Sequence, residues 1–449
     1  MKRQFISIIF ISCLIGFTLS FYFFIEGQKA IDEFIFQQPI IVRHNKKIEY
    51  LDDYRTFRPE LFSSDNWLEV NIQDMKLITY QNSNPIEIFS IIKKGDPRDW
   101  GGTASGLYNV IFKNKKWLSN TANVYMPNAI SFYGKYYLHG EPYYKSGAKL
   151  YSENSGGCLR LSDYDSETVY NFIERGTPIL VIDKINDNFE YASKTRDPFP
   201  EVSAQSYLVA DLDSGLIMAK KNEMKKLPMT SLAKLMTAVI ISENVDTSSS
   251  IMVRESMLDD YGSTLGLDPG KRFGIIELMY PMLIESSNDA AQVLAAYFGR
   301  PRTLEMMNEK AKAIFMPNTV FADASGFDPN NISTAKDLFY LTRYIVNNRP
   351  LIFDITKGKK VSWSGSGSSW VLNNKNIFFE NPDFIGGKTG HISSSGYHGL
   401  FVFQLSDSNG LTRRIAIILL GSENLNYGDK SMTSEAYKAY QWVKENYFK

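Results

Sequence analysis

The sequence predicts a multi-domain chain: one N-terminal transmembrane helix, then a mostly-β domain, then an α+β domain. Three observations carry this reading. At 449 residues the chain exceeds what one ordinary core supports, so two domains are the starting expectation. An uncharged, largely apolar run from Phe5 to Ile25 follows Met1-Lys2-Arg3-Gln4 and is long enough to cross a bilayer as a helix. Beyond it the patterning changes once, from short β-type runs before Asp183 to mainly helical periodicity after Asp211.

The basic residues ahead of the apolar run place the N-terminus in the cytoplasm and the rest of the chain outside. Ser20-Phe21-Tyr22-Phe23-Phe24 stays apolar and aromatic where a small-x-small cleavage site would lie, so residues 1–26 read as an uncleaved anchor in the cytoplasmic membrane. The run continues well past Cys13, which disfavours a lipoprotein. Residues 27–64 are mixed, with charge clusters such as Arg43-His44-Asn45-Lys46-Lys47, and read as a stalk. Lys plus Arg and Asp plus Glu balance at 49 each, so no net field draws the chain to nucleic acid, which is not an expected partner. The aromatic content, 29 Phe and 26 Tyr, fits packed β-rich cores.

The first domain is expected over residues 65–184. Its strand runs are Trp67 to Ile72, Leu77 to Tyr80, Ile86 to Ile92, Leu107 to Phe112 and Tyr133 to Leu138, separated by Gly, Pro, Asn or Asp turns, which suggests antiparallel pairing. A helix from Ser162 to Arg175 stops at Gly176. A polar linker with Pro198 and Pro200 covers residues 185–203. The second domain, 204–449, opens with a strand at Tyr207 to Asp211. A helix from Ser231 to Ser242 follows, with Leu232, Leu235, Met236, Val239 and Ile240 as its apolar stripe. Further helices are expected at 273–285, 288–298, 302–315 and 336–346, strands at 398–404 and 414–420, and a closing helix at 431–446. Trp363 to Trp370 is a Ser/Gly loop.

The two cysteines are Cys13 and Cys158; with the first in the membrane, Cys158 has no disulfide partner. It lies in Ser155-Gly156-Gly157-Cys158-Leu159-Arg160, just before a helix, and downstream of His139-Gly140. A thiolate forms more readily near a helix N-terminus and beside a base, and glycines let backbone N–H groups approach a developing oxyanion. The pattern resembles the L,D-transpeptidase catalytic domain, with Thr103-Ala104-Ser105-Gly106 similar to that family's Thr-Pro-x-Gly turn. The resemblance implies Cys158 as nucleophile, His139 as base, and Ser155, Gly157 and Arg160 as shapers of the substrate pocket. The family often carries a histidine two residues before the cysteine, where this chain has Gly156.

Ser231-Leu232-Ala233-Lys234 opens a helix, and the i,i+3 spacing brings the ammonium onto the face of the hydroxyl. Ser286-Ser287-Asn288 and Lys388-Thr389-Gly390 follow in the order found in penicillin-binding proteins and serine β-lactamases. A desolvated Lys234 near a second cation such as Lys388 would have its pKa lowered and could take the Ser231 proton. Ser286 could relay a proton to the leaving amine, and Asn288 orient the substrate amide. Lys388, Thr389 and Gly390, on a strand edge, could receive a terminal carboxylate. With Leu227-Pro228-Met229-Thr230, Gly262 to Leu267, Asn288-Asp289-Ala290-Ala291 and Ser333-Thr334-Ala335-Lys336-Asp337, the segment 204–422 resembles the D-alanyl-D-alanine carboxypeptidase family. Departures are Ser287 for the usual Gly and Ala233 for Thr or Ser. The C-terminal β domain and terminal amphipathic anchor of many such enzymes have no counterpart in the sequence, which suits an N-terminal anchor.

No Glu-x-x-Leu-Asn lies between Asn288 and Lys388, which disfavours a hydrolytic β-lactamase. The four histidines lack metal-ligand spacing, His391 and His398 included, so no metal and no cofactor is expected. The resemblances together imply a bifunctional peptidoglycan enzyme whose partners are stem peptides, the membrane, and β-lactam antibiotics as covalent inhibitors. A chain with a silent cysteine domain that only binds peptidoglycan, or a cell-wall scaffold with both sites silent, are the alternatives.

Overall fold

The computed structural model describes residues 51, 65–82, 84–119, 122–153, 155–183, 189–191, 196–258, 262–359, 370–376, 378–407, 410–423 and 435–448. The expected anchor lies outside these residues, as does the expected stalk except Leu51 and the Ser/Gly loop except Trp370. Leu51 is buried and donates its N–H to the Gly215 carbonyl.

The first domain holds two sheets. Strands β1 (Asn66–Asn71), β2 (Lys76–Gln81), β3 (Asn84–Ser90), β4 (Gly106–Asn109) and β9 (Pro178–Ile182) form one, in the order β3-β2-β1-β9-β4. Strands β5 (Phe112–Ser119), β6 (Val124–Tyr133), β7 (Tyr136–His139) and β8 (Leu159–Arg160) form the other, in sequence order. Side chains alternate across a strand, and here the alternation divides residues between two cores. Leu68, Val70, Ile179 and Val181 pack into the first domain's own core. Trp67, Leu180 and Ile182 point the other way, into the helices of the second domain. Burial on both faces explains why β9 reads as a continuous apolar run.

Three expectations for this domain need correction. Pairing is not wholly antiparallel: β1 runs parallel to β9 and β7 parallel to β8, because a long excursion separates each pair in sequence. The expected strand Leu107 to Phe112 is two strands that change sheet. Between them Val110 donates to Thr177 O and Ile111 to Ser131 O. The expected strand Tyr133 to Leu138 spans a hairpin, since Gly134 has φ +47 and turns the chain between β6 and β7. Helix α1 (Asp163–Phe172) is capped by Ser162, whose side chain accepts from Asp165 N.

The second domain is built on a five-stranded antiparallel sheet. With β10 (Ser206–Asp211), β11 (Ile217–Lys221), β12 (Phe384–Ile392), β13 (Gly396–Ser406) and β14 (Thr412–Ser422), its order is β11-β10-β14-β13-β12. Leu400, Val402, Ala416, Ile418 and Leu420 face the helices. Phe401, Phe403, Ile415, Ile417 and Leu419 face the closing helix α8 (Glu435–Tyr447). Helix α2 (Ala233–Asn244) is buried from Ala233 through Glu243, the mark of a central helix. Around it lie α3 (Ile275–Ile284), α4 (Asn288–Ala295), α5 (Arg300–Ala313), α6 (Ala335–Asn348) and α7 (Pro350–Thr356). The expected helix from Phe273 begins later, because Arg272–Gly274 pairs as a strand with Ser250–Met252.

Candidate active sites

Ser231 sits in a single 3-10 turn, Thr230–Leu232, at the mouth of α2. Lys234, one turn in, is fully buried, and its Nζ donates to Ser231 Oγ (3.0 Å), Asn288 Oδ1 (2.7 Å) and the Ser325 carbonyl (2.5 Å). Burial pulls the ammonium down to about 7, with Lys375 pushing the same way and Asp323 and Asp289 resisting. Lys388, on edge strand β12, is buried and donates to Ser286 Oγ (2.9 Å) and the Thr389 carbonyl (2.8 Å). Burial, then Lys234 and Lys375, hold it well below the ordinary lysine range.

The three motifs therefore converge, with Lys234 tying Ser231 to Asn288 and Lys388 tying Ser286 to Thr389. Gly390 closes the arrangement: a Cβ there would stand 1.9 Å from Thr230 Oγ1 and 2.9 Å from Ser231 N, so only glycine lets β12 approach the serine. Ser287 accepts from Ala290 N and caps α4, a task a glycine could not perform. Asp289 accepts from the N–H groups of Leu265 (3.0 Å), Gly266 (2.9 Å) and Leu267 (3.2 Å), fixing the loop beside the site. Sequence reasoning missed Asp323 and Ser325. Asp323 accepts from Ser325 N (2.8 Å) and Gly326 N (2.5 Å), an Asp-x-Ser-Gly turn that was a readable signal. Lys375, whose Nζ donates to Ser263 Oγ (3.2 Å), had no readable signal.

In the first domain β7 and β8 bring His139 opposite Arg160, and Cys158 immediately precedes β8. His139 is buried, and its Nδ1 donates to the Gly140 carbonyl (2.5 Å), leaving the Nε2 lone pair free to act. Burial lowers the imidazole to about 4, helped by Arg160 and opposed by that carbonyl. The half-buried Cys158 makes a long contact, Sγ to Lys135 O at 3.9 Å, and no hydrogen bond joins it to His139. Burial raises the thiol, against the Tyr137 N–H, Arg160 and Lys135. Both groups are therefore neutral near pH 7, unlike a preformed thiolate–imidazolium pair.

Ser155 Oγ donates to the Cys158 carbonyl and so braces the turn. Gly157 is buried with φ +111, and a Cβ there would stand 2.3 Å from Tyr136 Cε1. Gly156 has φ +67 and nothing within 4 Å of a Cβ built on it, so space admits a side chain there, and the left-handed backbone is what favours glycine. Arg160 donates to Ser152 Oγ (2.9 Å) and lines a cleft of about 340 Å³ with Lys93, Glu141 and Tyr151.

The sheet, the central helix and the Ser231–Lys234–Asn288 chain define a serine acyl-transfer class of site. A profile of the D-alanyl-D-alanine carboxypeptidase family matches residues 192–422, just over half of the chain. A profile of the L,D-transpeptidase catalytic domain matches residues 65–181. The chain belongs to the D-alanyl-D-alanine carboxypeptidase family and carries an L,D-transpeptidase catalytic domain ahead of that domain. It is 29% identical over 263 residues to the D-alanyl-D-alanine carboxypeptidase DacD of Escherichia coli K12, covering 55% of this chain and 65% of that protein's length. It is 32% identical over 208 residues to a D-alanyl-D-alanine endopeptidase of Haemophilus influenzae, covering 44% of this chain and 70% of that one. The crystal structure of a D-alanyl-D-alanine carboxypeptidase from Mycobacterium tuberculosis H37Rv superposes with a TM-score of 0.50 at 25% identity, over 57% of this chain and 96% of that one.

Proposed function

We propose that the chain is a bifunctional peptidoglycan enzyme, a serine DD-carboxypeptidase joined to a cysteine L,D-transpeptidase. The observation that carries the first half is Lys234 Nζ at 3.0 Å from Ser231 Oγ with its pKa near 7. Neutral Lys234 takes the hydroxyl proton as Ser231 Oγ attacks the carbonyl of the penultimate D-Ala of a pentapeptide stem. Ser286, linked to Lys388, passes a proton to the departing amine of the terminal D-Ala, and water then frees the tetrapeptide. Strand β12 stands at the edge of its sheet, where the stem can lie alongside it as an added strand, with Thr389 and Gly390 at its terminal carboxylate. A β-lactam would acylate the same oxygen.

The pH dependence has a definite sign. Only neutral Lys234 accepts a proton, so lowering the pH through its pKa of about 7 removes the active form. The second-order rate of penicillin acylation should fall about tenfold per unit below that value and level off above about pH 8. A rate still climbing steeply above pH 8 would mean that Lys234 is not the base.

In the cysteine half, Cys158 attacks the carbonyl of the third stem residue with His139 Nε2 as proton acceptor; the fourth-position D-Ala leaves with that proton, and an acceptor amine resolves the thioester. Cys158→Ala should abolish L,D-linked product from tetrapeptide substrate and leave the conversion of pentapeptide to tetrapeptide unchanged. Loss of both activities, seen by mass spectrometry of muropeptides, contradicts independent sites. The neutral Cys158–His139 pair and Gly156 favour a second reading, a binding module without chemistry; wild-type protein that yields no L,D product from tetrapeptide would establish it. The apolar run Phe5 to Ile25 supports an extracytoplasmic location on a membrane anchor, and deletion of residues 1–26 should release the protein from the membrane fraction.

A further inference from the structure

We propose that Arg349, which belongs to the carboxypeptidase half, is a positioning residue for the Cys158 site of the other half. The inference rests on the L,D-transferase reading of that site. Arg349 occupies the joint between α6 and α7 and is fully buried. Its guanidinium crosses the domain boundary: Nη2 donates to the Tyr136 hydroxyl (2.6 Å) and Nη1 to the Gly102 carbonyl (2.7 Å). Nη2 also pairs with Glu243 (3.0 Å).

Both cross-boundary acceptors support the cysteine turn. Tyr136 opens β7, the strand that ends in His139, and its ring fills the space where a side chain on Gly157 would be. Gly101 O lies 3.2 Å from the same hypothetical Cβ, and Gly101 adjoins Gly102. A Gly-Gly segment has little conformational restraint of its own, so the placement of Cys158 is set by what Gly157 leans on. The β6–β7 turn is seated from the same side. Lys135 Nζ donates to Val245 O (3.2 Å), just past the end of α2.

A purely adhesive ion pair would not need this geometry. Lys310 already lies 3.1 Å from Glu243, so the carboxylate keeps a cation without Arg349. What Arg349 alone supplies is a planar fork that reaches two walls of the turn at once, which a lysine cannot reproduce.

The test uses the full chain and three variants. Tyr136→Phe keeps the ring and removes the hydroxyl, Arg349→Met removes the fork, and Arg349→Lys keeps the charge. Cys158 reactivity is read as the iodoacetamide alkylation rate between about pH 6 and about pH 10, L,D-transfer as kcat and KM, and integrity as penicillin labelling of Ser231. Arg349→Met should lower kcat for L,D-transfer about tenfold or more, with KM within about twofold, and displace the alkylation profile. Tyr136→Phe should do the same to a smaller extent, and Arg349→Lys should restore part of the loss. Alkylation and transfer matching wild type in both Arg349→Met and Tyr136→Phe, with Ser231 still labelled, overturns the proposal. If Arg349→Met loses penicillin labelling, Tyr136→Phe decides alone. If the wild type alkylates but transfers nothing, the transferase reading fails, and the alkylation profiles still decide whether Arg349 positions the thiol.

Discussion

Ser231→Ala is expected to leave no covalent penicillin adduct and to lower D-Ala release from pentapeptide by at least about 10⁴-fold, because removing a nucleophile abolishes the acyl-enzyme route entirely. Lys234→Ala should come close to the same result, since the serine then lacks the Nζ that stands 3.0 Å away to receive its proton. A further consequence separates coupled from merely adjacent sites. If the serine half makes the donor for the cysteine half, Ser231→Ala should also lose L,D-linked product when pentapeptide is supplied, and keep it when tetrapeptide is supplied. Equal L,D product from pentapeptide in variant and wild type would sink the coupling while leaving each site's own chemistry untouched. Retention of a penicillin adduct in Ser231→Ala would instead move the nucleophile elsewhere.

The serine site was legible because its chemistry lives in short motifs with fixed local geometry. Ser-x-x-Lys across one helical turn already brings Nζ to Oγ, and a Lys-Thr-Gly on a strand needs only a neighbouring glycine contact to dock beside it. The cysteine turn was half legible. His139 and Cys158 were found from residue type, but their relation depends on β7 and β8 pairing in parallel, which periodicity does not reveal. Where the alternation failed it did so for a physical reason: β9 and β14 are covered on both faces, so they lose the polar half of the pattern. Gly134 marked a turn inside the Tyr-rich run, but the aromatic propensity around it outweighed that signal.

Least legible was the boundary between the domains. Glu243 lies just past the expected helix 231–242, Lys310 is one cation of several in the expected helix 302–315, and Arg349 lies outside every expected element. Nothing local joins them, yet all three are fully buried together. Long-range polar clusters leave no periodic trace, because each member is a single exception within its own element. The polar linker did not announce that Trp67, Leu180 and Ile182 would share one core with the serine helices.

That boundary sets up the second large effect, on stability. Glu243 is wholly buried between Lys310 (3.1 Å) and Arg349 (3.0 Å) and also accepts from the hydroxyls of Tyr133 (2.9 Å) and Tyr344. Burial alone would raise its pKa, but the two cations overcome that and hold it below the ordinary carboxylate value. Glu243→Ala would leave two cations side by side without a counter-charge, and the protein should lose about 3–5 kcal/mol on urea unfolding followed by tryptophan fluorescence. Glu243→Gln should lose less, because one amide oxygen still accepts. Replacing Glu243, Lys310 and Arg349 together by apolar residues of similar volume should restore much of the stability, since a buried ion cluster gains little over good packing. In that triple variant Ser231 should still take penicillin, while Cys158 should show the impaired transfer expected of Arg349→Met. A loss below about 1 kcal/mol for Glu243→Ala, within the range of an exposed pair, would show that the cluster is not desolvated in solution and that the two domains part there.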